Sequence, residues 1–313
     1  MNDGLTSGFG KAPSAAIVLA KAGSVTFPGF SFVGDKDTGL WNPTSNSLAF
    51  AVGGIEMMRM TAAQVLMGTT TALVTRVGVS NISPRLQAAG TTGTLSSMGQ
   101  FAYNVSGSAA PYTLHAKSRN SAVGGHTIVA DGDLVGAYSA AGSDGVQFTE
   151  AARIEVRVDG DPALNSMPGR LVFCTTPIGQ FTPVEAMRID DSQNCLMTGA
   201  GATGYGAGAG GTVTQLTNKN TNVTLNKLSG RIFMATGAIA AGAEAVFDVF
   251  SSGVTAVDVP VLAIATGAAG GSYCLSTVSV SAGSFKVSLR NLTAGSLNES
   301  VTFSFVVMRG SIT

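Results

Sequence analysis

Charge is what this sequence has least of. Asp, Glu, Lys and Arg make up 12% of its 313 residues, about half the roughly 25% of an ordinary soluble domain. The signs cancel, 18 basic against 18 acidic, and no Lys/Arg cluster occurs, so nothing points to nucleic acid or to an anionic membrane. Long apolar runs are missing as well. Mean hydropathy is +0.32, yet the longest apolar patches, Ala15 to Ala20 and Val259 to Ala265, fall far short of the roughly 18 residues of a membrane span. The first patch follows a long polar segment with a single Lys11, unlike the charged start of a secretory signal. Cysteine is scarce: Cys174, Cys195 and Cys274 have no C-x-x-C spacing and cannot all pair within one chain, so buried free thiols are expected. His115 and His126 sit in no H-x-H or H-E-x-x-H arrangement, and one chain supplies too few ligands for a metal. No cofactor is expected.

What the sequence has instead is Gly, 41 residues of it, together with Thr, Ser and Val. That mixture favours short strands and tight turns over helices. A protein so poor in charge stays soluble by covering its strands with hydroxyls, or by hiding surface in an oligomer. Hairpins are expected around the turn Gly34 to Gly39, and where Gly53-Gly54 joins Ser47–Val52 to Ile55–Met60.

An internal repeat stands out. Glu56-Met57-Met58-Arg59-Met60 recurs as Glu185-Ala186-Met187-Arg188-Ile189. Each copy follows a short strand, Leu48-Ala49-Phe50 or Leu171-Val172-Phe173, and precedes a similar tail, residues 64–68 or 193–199. Such recurrence marks one module used twice. Strict alternation puts Glu185, Met187 and Ile189 on one face and Ala186 and Arg188 on the other, so Glu and Arg are not expected to pair within the strand. They either pair with copies across a chain interface or stand as solvated side chains.

The search for chemistry yields little. Gly199, Gly201 and Gly204 match G-x-G-x-x-G, but no helix is expected after them to face a pyrophosphate. The carboxylates from Asp131 to Asp161 mostly neighbour Gly or Pro, where Asp accepts backbone hydrogen bonds in turns. No G-x-S-x-G elbow occurs. A non-enzymatic protein is the expectation. The glycine-rich stretch 199–211 is read as a linker. Beyond it, Phe285, Val287 and Leu289, and Val301, Phe303, Phe305 and Val307, alternate with polar residues, as in a β-sandwich or jelly roll.

At this point the residues carry a resemblance. The run Phe32 to Trp41 with Leu48-Ala49-Phe50 and Glu56 to Met60 resembles the shaft repeat of phage tail-fibre proteins. Residues 76–198 resemble a second fibre module, through Lys117-Ser118-Arg119, Asp131-Gly132-Asp133, Ala151-Ala152-Arg153-Ile154, Met167 to Phe173 and Glu185 to Ile189. The resemblance implies an elongated all-β homotrimer, made in the bacterial host cytoplasm and carried on the virion. Residues 1–26 form an arm that docks on tail or adaptor proteins, 27–75 and 76–198 two fibre modules, and 212–313 a jelly-roll-like tip. Met58, Arg59, Met187 and Arg188 are the candidate trimer-interface residues. The self-cleaving chaperone that ends some relatives is not expected, since the sandwich runs on to Thr313.

The function implied is host adsorption through the tip, to a cell-surface glycan or protein, with Tyr273, Lys286 and Arg290 as candidate receptor contacts. These three also suit ordinary strand decoration. The alternatives are a purely structural tail, collar or baseplate protein, and a polysaccharide-degrading tailspike, which the missing carboxylate pattern disfavours.

Overall fold

Runs of β-branched and aromatic residues cut by Gly, Asn and Asp give short strands. A computed structural model of the chain describes residues 19–103, 107 and 110–312. The described residues contain no α-helix, and one 3-10 turn at Thr94–Ser96. The protein is all-β, built of several mixed sheets. It divides after Gly201 into two units. Most of the expected N-terminal arm, residues 1–18, lies outside the described residues.

The first unit opens with β1 (Phe30–Phe32), β2 (Asp35–Trp41), β3 (Leu48–Val52), β4 (Ile55–Met60) and β5 (Val65–Met67), an antiparallel series. The first hairpin differs from expectation. Its strands pair Ser31 with Gly39 and then Phe32 with Asp35, so Lys36 to Thr38 bulge out and only Val33-Gly34 turn. The second hairpin is as read: Gly53 and Gly54 both take positive φ, 58° and 72°, the demand of a type I′ turn. Then β6 (Thr75–Val77) and β7 (Ser80–Ile82) leave for a second sheet, and β8 (Leu86–Ala88) returns parallel to β5. The second sheet takes in β9 (Leu134–Ser143), β10 (Phe148–Val158), β11 (Gly169–Thr175), β12 (Val184–Ile189) and β13 (Cys195–Met197). The two sheets are therefore interleaved in sequence.

The second unit carries eight strands: β14 (Gly210–Thr214), β15 (Val223–Thr224), β16 (Ser229–Phe233), β17 (Glu244–Phe250), β18 (Val259–Thr266), β19 (Tyr273–Ser281), β20 (Ser284–Asn291) and β21 (Thr302–Met308). They form two four-stranded sheets, β14-β16-β21-β18 and β15-β17-β20-β19. Between them lies a core of Phe247, Phe285, Phe303, Phe305, Val287 and Leu289 with their neighbours. The rings of Phe285 and Phe305 sit 5.2 Å apart, tilted, a geometry that adds to plain burial. The glycine-rich stretch is divided. Tyr205 Oη donates to Val307 O at 2.7 Å and β14 starts at Gly210, so its later part belongs to this unit.

One edge of β17 is closed by side chains. Asn220, Asn222 and Asn226 each accept, through Oδ1, from the backbone N–H of Val246, Asp248 and Ser252. Between them β15 pairs parallel to β17 by backbone. Amide side chains here extend a two-residue strand and satisfy donors that would otherwise be orphaned at a sheet edge.

Burial separates the units. The large buried apolar side chains belong almost wholly to the second, Leu66 being the main exception, whereas the first holds small buried residues such as Ala49, Ala51 and Val172. Its larger apolar side chains are mostly half-buried, as Phe50, Met58, Phe173 and Met187 are, or exposed, as Phe30 and Tyr138 are.

Candidate assembly faces

The repeat is a structural module, and a bulge defines it. In β3–β4–β5, Phe50 pairs with Met58 and Ala51 with Glu56, leaving Met57 extra. In β11–β12–β13, Phe173 pairs with Met187 and Cys174 with Glu185, leaving Ala186 extra. The third strands match too, Met58 with Met67 and Met187 with Met197. An extra residue reverses the alternation beyond it. Glu and Arg, three residues apart, thereby reach one face. Arg59 donates Nε to Glu56 Oε1 at 2.7 Å and Nη2 to Oε2 at 2.8 Å; Arg188 does the same to Glu185, at 2.5 and 2.9 Å. This overturns the expectation that Glu and Arg cannot pair within a strand: both ion pairs close there.

A third bulge was not read from the sequence. β9 pairs Ala141 with Glu150 and Ala140 with Ala152, leaving Ala151 extra, and Arg153 Nη1 donates to Glu150 Oε2 at 3.0 Å. The signal was present as Glu150-Ala151-Ala152-Arg153-Ile154, the same Glu-x-x-Arg spacing. Here the charges are deep. Glu150 and Glu155 are 1% and 2% exposed. Arg153 lies between them, its Nε against Glu155 Oε1, and Arg157 Nε donates to Glu155 Oε2 at 2.5 Å. Burial opposes ionisation of Glu155, but the two guanidiniums hold its carboxyl below the usual range. Ser139 Oγ and Gly78 N also donate to Glu150. The turn reading holds elsewhere in this carboxylate group: Asp144 accepts from the N–H of Val146 and Gln147. Glu150 and Glu155 escaped it because they sit mid-strand.

With these ion pairs gathered on one face, the strands that carry them turn apolar rows to the other, where Arg76 stands at the margin in register with Thr149. Across the first sheet, one register row reads Phe30, Leu40, Phe50, Met58, Met67, Ala88, and the next reads Leu48, Met60, Val65, Leu86. Across the second sheet the matching rows read Tyr138, Ile154, Phe173, Met187, Met197 and Gly136, Val156, Leu171, Ile189, Cys195. Both faces are partly open, with Phe30 and Tyr138 52% and 54% exposed. Of the candidate interface residues, Met58 and Met187 lie on these faces; Arg59 and Arg188 lie on the reverse.

The sandwich shows the same contrast on its two outer faces. On β17-β20-β19, Glu244 is in register with Arg290 and Asp248 with Lys286, and Lys286 Nζ sits 3.3 Å from Asp248 Oδ2. Ser288 Oγ donates to Glu244 at 2.6 Å. This polar face carries two of the three candidate receptor contacts. Tyr273 is elsewhere. Its ring belongs to the core and its hydroxyl donates to Glu299 Oε2 at 2.7 Å; burial and that carboxylate push its hydroxyl pKa up. On β14-β16-β21-β18, the outer face presents Phe233, Val259, Val261, Ala263, Val306 and Met308, with Arg231 its charged member.

The cysteines correct a further expectation. Cys174 is buried, but Cys195 and Cys274 are exposed, on an apolar face of the first unit and on the polar outer face of the sandwich. Among the described residues no group of three or more His, Cys, Asp or Glu gathers as a metal site would require, and His115 stacks edge-on against Tyr138 at 5.1 Å. No helix among them is long and apolar enough to cross a membrane.

No protein-family model matches the chain, and no curated protein does. Among solved structures it is similar to the carboxy-terminal domain of the bacteriophage T5 L-shaped tail fibre, with a TM-score of 0.41 and 12% identity over 64% of this chain and 93% of that one.

Proposed function

We propose that this chain is a structural, non-catalytic component of a bacteriophage tail fibre. Three copies associate through the apolar faces of the first unit, the segment 1–26 fixes them to a tail or adaptor protein, and the C-terminal sandwich meets a glycan or protein of the host surface. The observation that carries the reading is the face of Phe50, Met58 and Met67, rebuilt in the same register by Phe173, Met187 and Met197. Left in water, such a face forgoes about 25 cal/mol for every Å² that burial would remove. A unit whose buried residues are mostly small gains most by closing that face against copies of itself. The resemblance to shaft repeats supplies the number of copies and the polarity of the fibre.

Two measurements test this. Light scattering on the full chain is expected to give about three times 31.4 kDa; a stable monomer overturns the assembly. Purified 202–313, a unit with its own core, is expected to bind host cells and to slow adsorption of a phage carrying this fibre. A folded fragment that does neither overturns the adhesin half.

A further inference from the structure

We propose that the outer face of the β14-β16-β21-β18 sheet is a second self-association surface, on which a neighbouring copy of the same sandwich packs. This rests on the assembly reading above and adds how the C-terminal units close on one another.

The face has the character of the first unit's open faces. Val259, Val261 and Met308 are 54%, 45% and 59% exposed. Ala263 beside Ser304 leaves a shallow centre between these larger residues, and Arg231 is turned onto Ser304 Oγ at 3.4 Å. The sandwich's other outer face carries the Lys286–Asp248 ion pair with Glu244 and Arg290 beside it, groups that water tolerates. An occupant of the apolar face arrives flat. Strand addition at β18 is blocked because Pro260 has no N–H, and its carbonyl already accepts from Thr277 Oγ1 at 3.2 Å.

Size decides what that occupant is. Four strands spaced by about 4.8 Å, with five to eight residues each at about 3.3 Å, give a footprint of about 400 Å². A stable interface between free partners takes about 800 Å² from each. A foreign protein would find half an interface. A copy already tied through the first unit arrives at an effective concentration of about millimolar, where half an interface suffices. The face is therefore matched to a second copy.

The native cysteines make the test internal. In the full chain carrying Cys195→Ser and Ala263→Cys, buried Cys174 reports folding and Cys274 reports the polar outer face. The introduced thiol is expected to react with a soluble thiol reagent about tenfold more slowly than Cys274. Equal rates in particles that scattering shows to be oligomeric overturn this surface and leave the fibre reading standing. A monomer overturns the fibre reading and this surface with it. Should Cys174 react, the substitution has disturbed the fold, and Val261→Cys in the same background puts the same question, with the same two outcomes.

Discussion

Arg188 grips Glu185 of its own strand through two parallel hydrogen bonds, although regular alternation would send the two side chains to opposite sides of the sheet. The extra residue between them, Ala186, brings them together. The planar fork of Arg suits a carboxylate in this way and Lys does not. The same relation joins Arg59 to Glu56 across the bulge at Met57. What the bulge accomplishes is segregation: charges on one face, Met58 or Met187 on the other.

Deleting Ala186 should therefore be milder than truncating Arg188. The deletion makes Cys174–Glu185 and Phe173–Met187 consecutive pairs and leaves Glu and Arg two residues apart on one face, the spacing that already joins Arg157 to Glu155. Arg188→Ala strands a half-buried carboxylate and is expected to cost about 1 kcal/mol. Urea midpoints of the two variants, compared with the parent, check the order.

Arg153→Ala should be far worse. It removes a guanidinium shared by Glu150 and Glu155, and breaking a buried pair from one side costs about 3–5 kcal/mol. Against a typical stability of about 5–15 kcal/mol, the first unit is expected to lose its near-ultraviolet dichroism and protease resistance. Adding Glu150→Gln and Glu155→Gln should restore a substantial part of both.

Acid should act through Glu185. The hydrogen bond from Arg188 holds its carboxyl below the ordinary value of 4.5. A folded value below the unfolded one means stability that is present above about pH 4.5 and lost as the pH falls through the folded value. Chemical denaturation at pH 7 and pH 3 should show the parent losing more than Glu185→Gln does. Equal losses would exclude the pair as a source of acid sensitivity.

In the sandwich, Lys219 is 4% exposed and donates to the carbonyls of Ala235 and Glu299 at 2.7 and 2.6 Å. Lys219→Met keeps the chain's bulk but leaves both carbonyls without that donor. A loss of about 2 kcal/mol is expected, read from the urea midpoint of 202–313.

Much of the fold was legible where one strand carries its own signal. Alternation placed Phe285, Val287 and Leu289 inward and Lys286 and Arg290 outward, and Gly53-Gly54 named its turn. The bulges were not legible, because an extra residue is defined by counting against a partner strand. Within Glu185 to Ile189 alone, nothing distinguishes Ala186 from a paired residue. For the same reason Glu150 and Glu155 were grouped with turn carboxylates: their partners, Ser139, Gly78 and Arg157, come together only in the sheet. Tyr273 is named from the sequence as a receptor contact because a glycan site calls for an aromatic face, and the sequence does not show that its ring is buried. The acceptor that draws its hydroxyl inward, Glu299, lies on a distant loop.

The three asparagines along β17 have a consequence for how this sequence can change over evolutionary time. Asn220, Asn222 and Asn226 meet Val246, Asp248 and Ser252 at a constant offset of 26 residues. Exposed positions beside them, such as Thr224, are free to vary in identity, while Val223, Phe247 and Val249 are held by the core. The spacing inside each segment is not free. A residue inserted or lost within 220–226 or within 246–252 moves the amides beyond it off their donors. One gained or lost in the connection between them is absorbed by its turns. Among relatives of this sandwich, the steps of two and four residues within 220–226 and within 246–252 should be preserved together, while the turns that connect the two segments change in length.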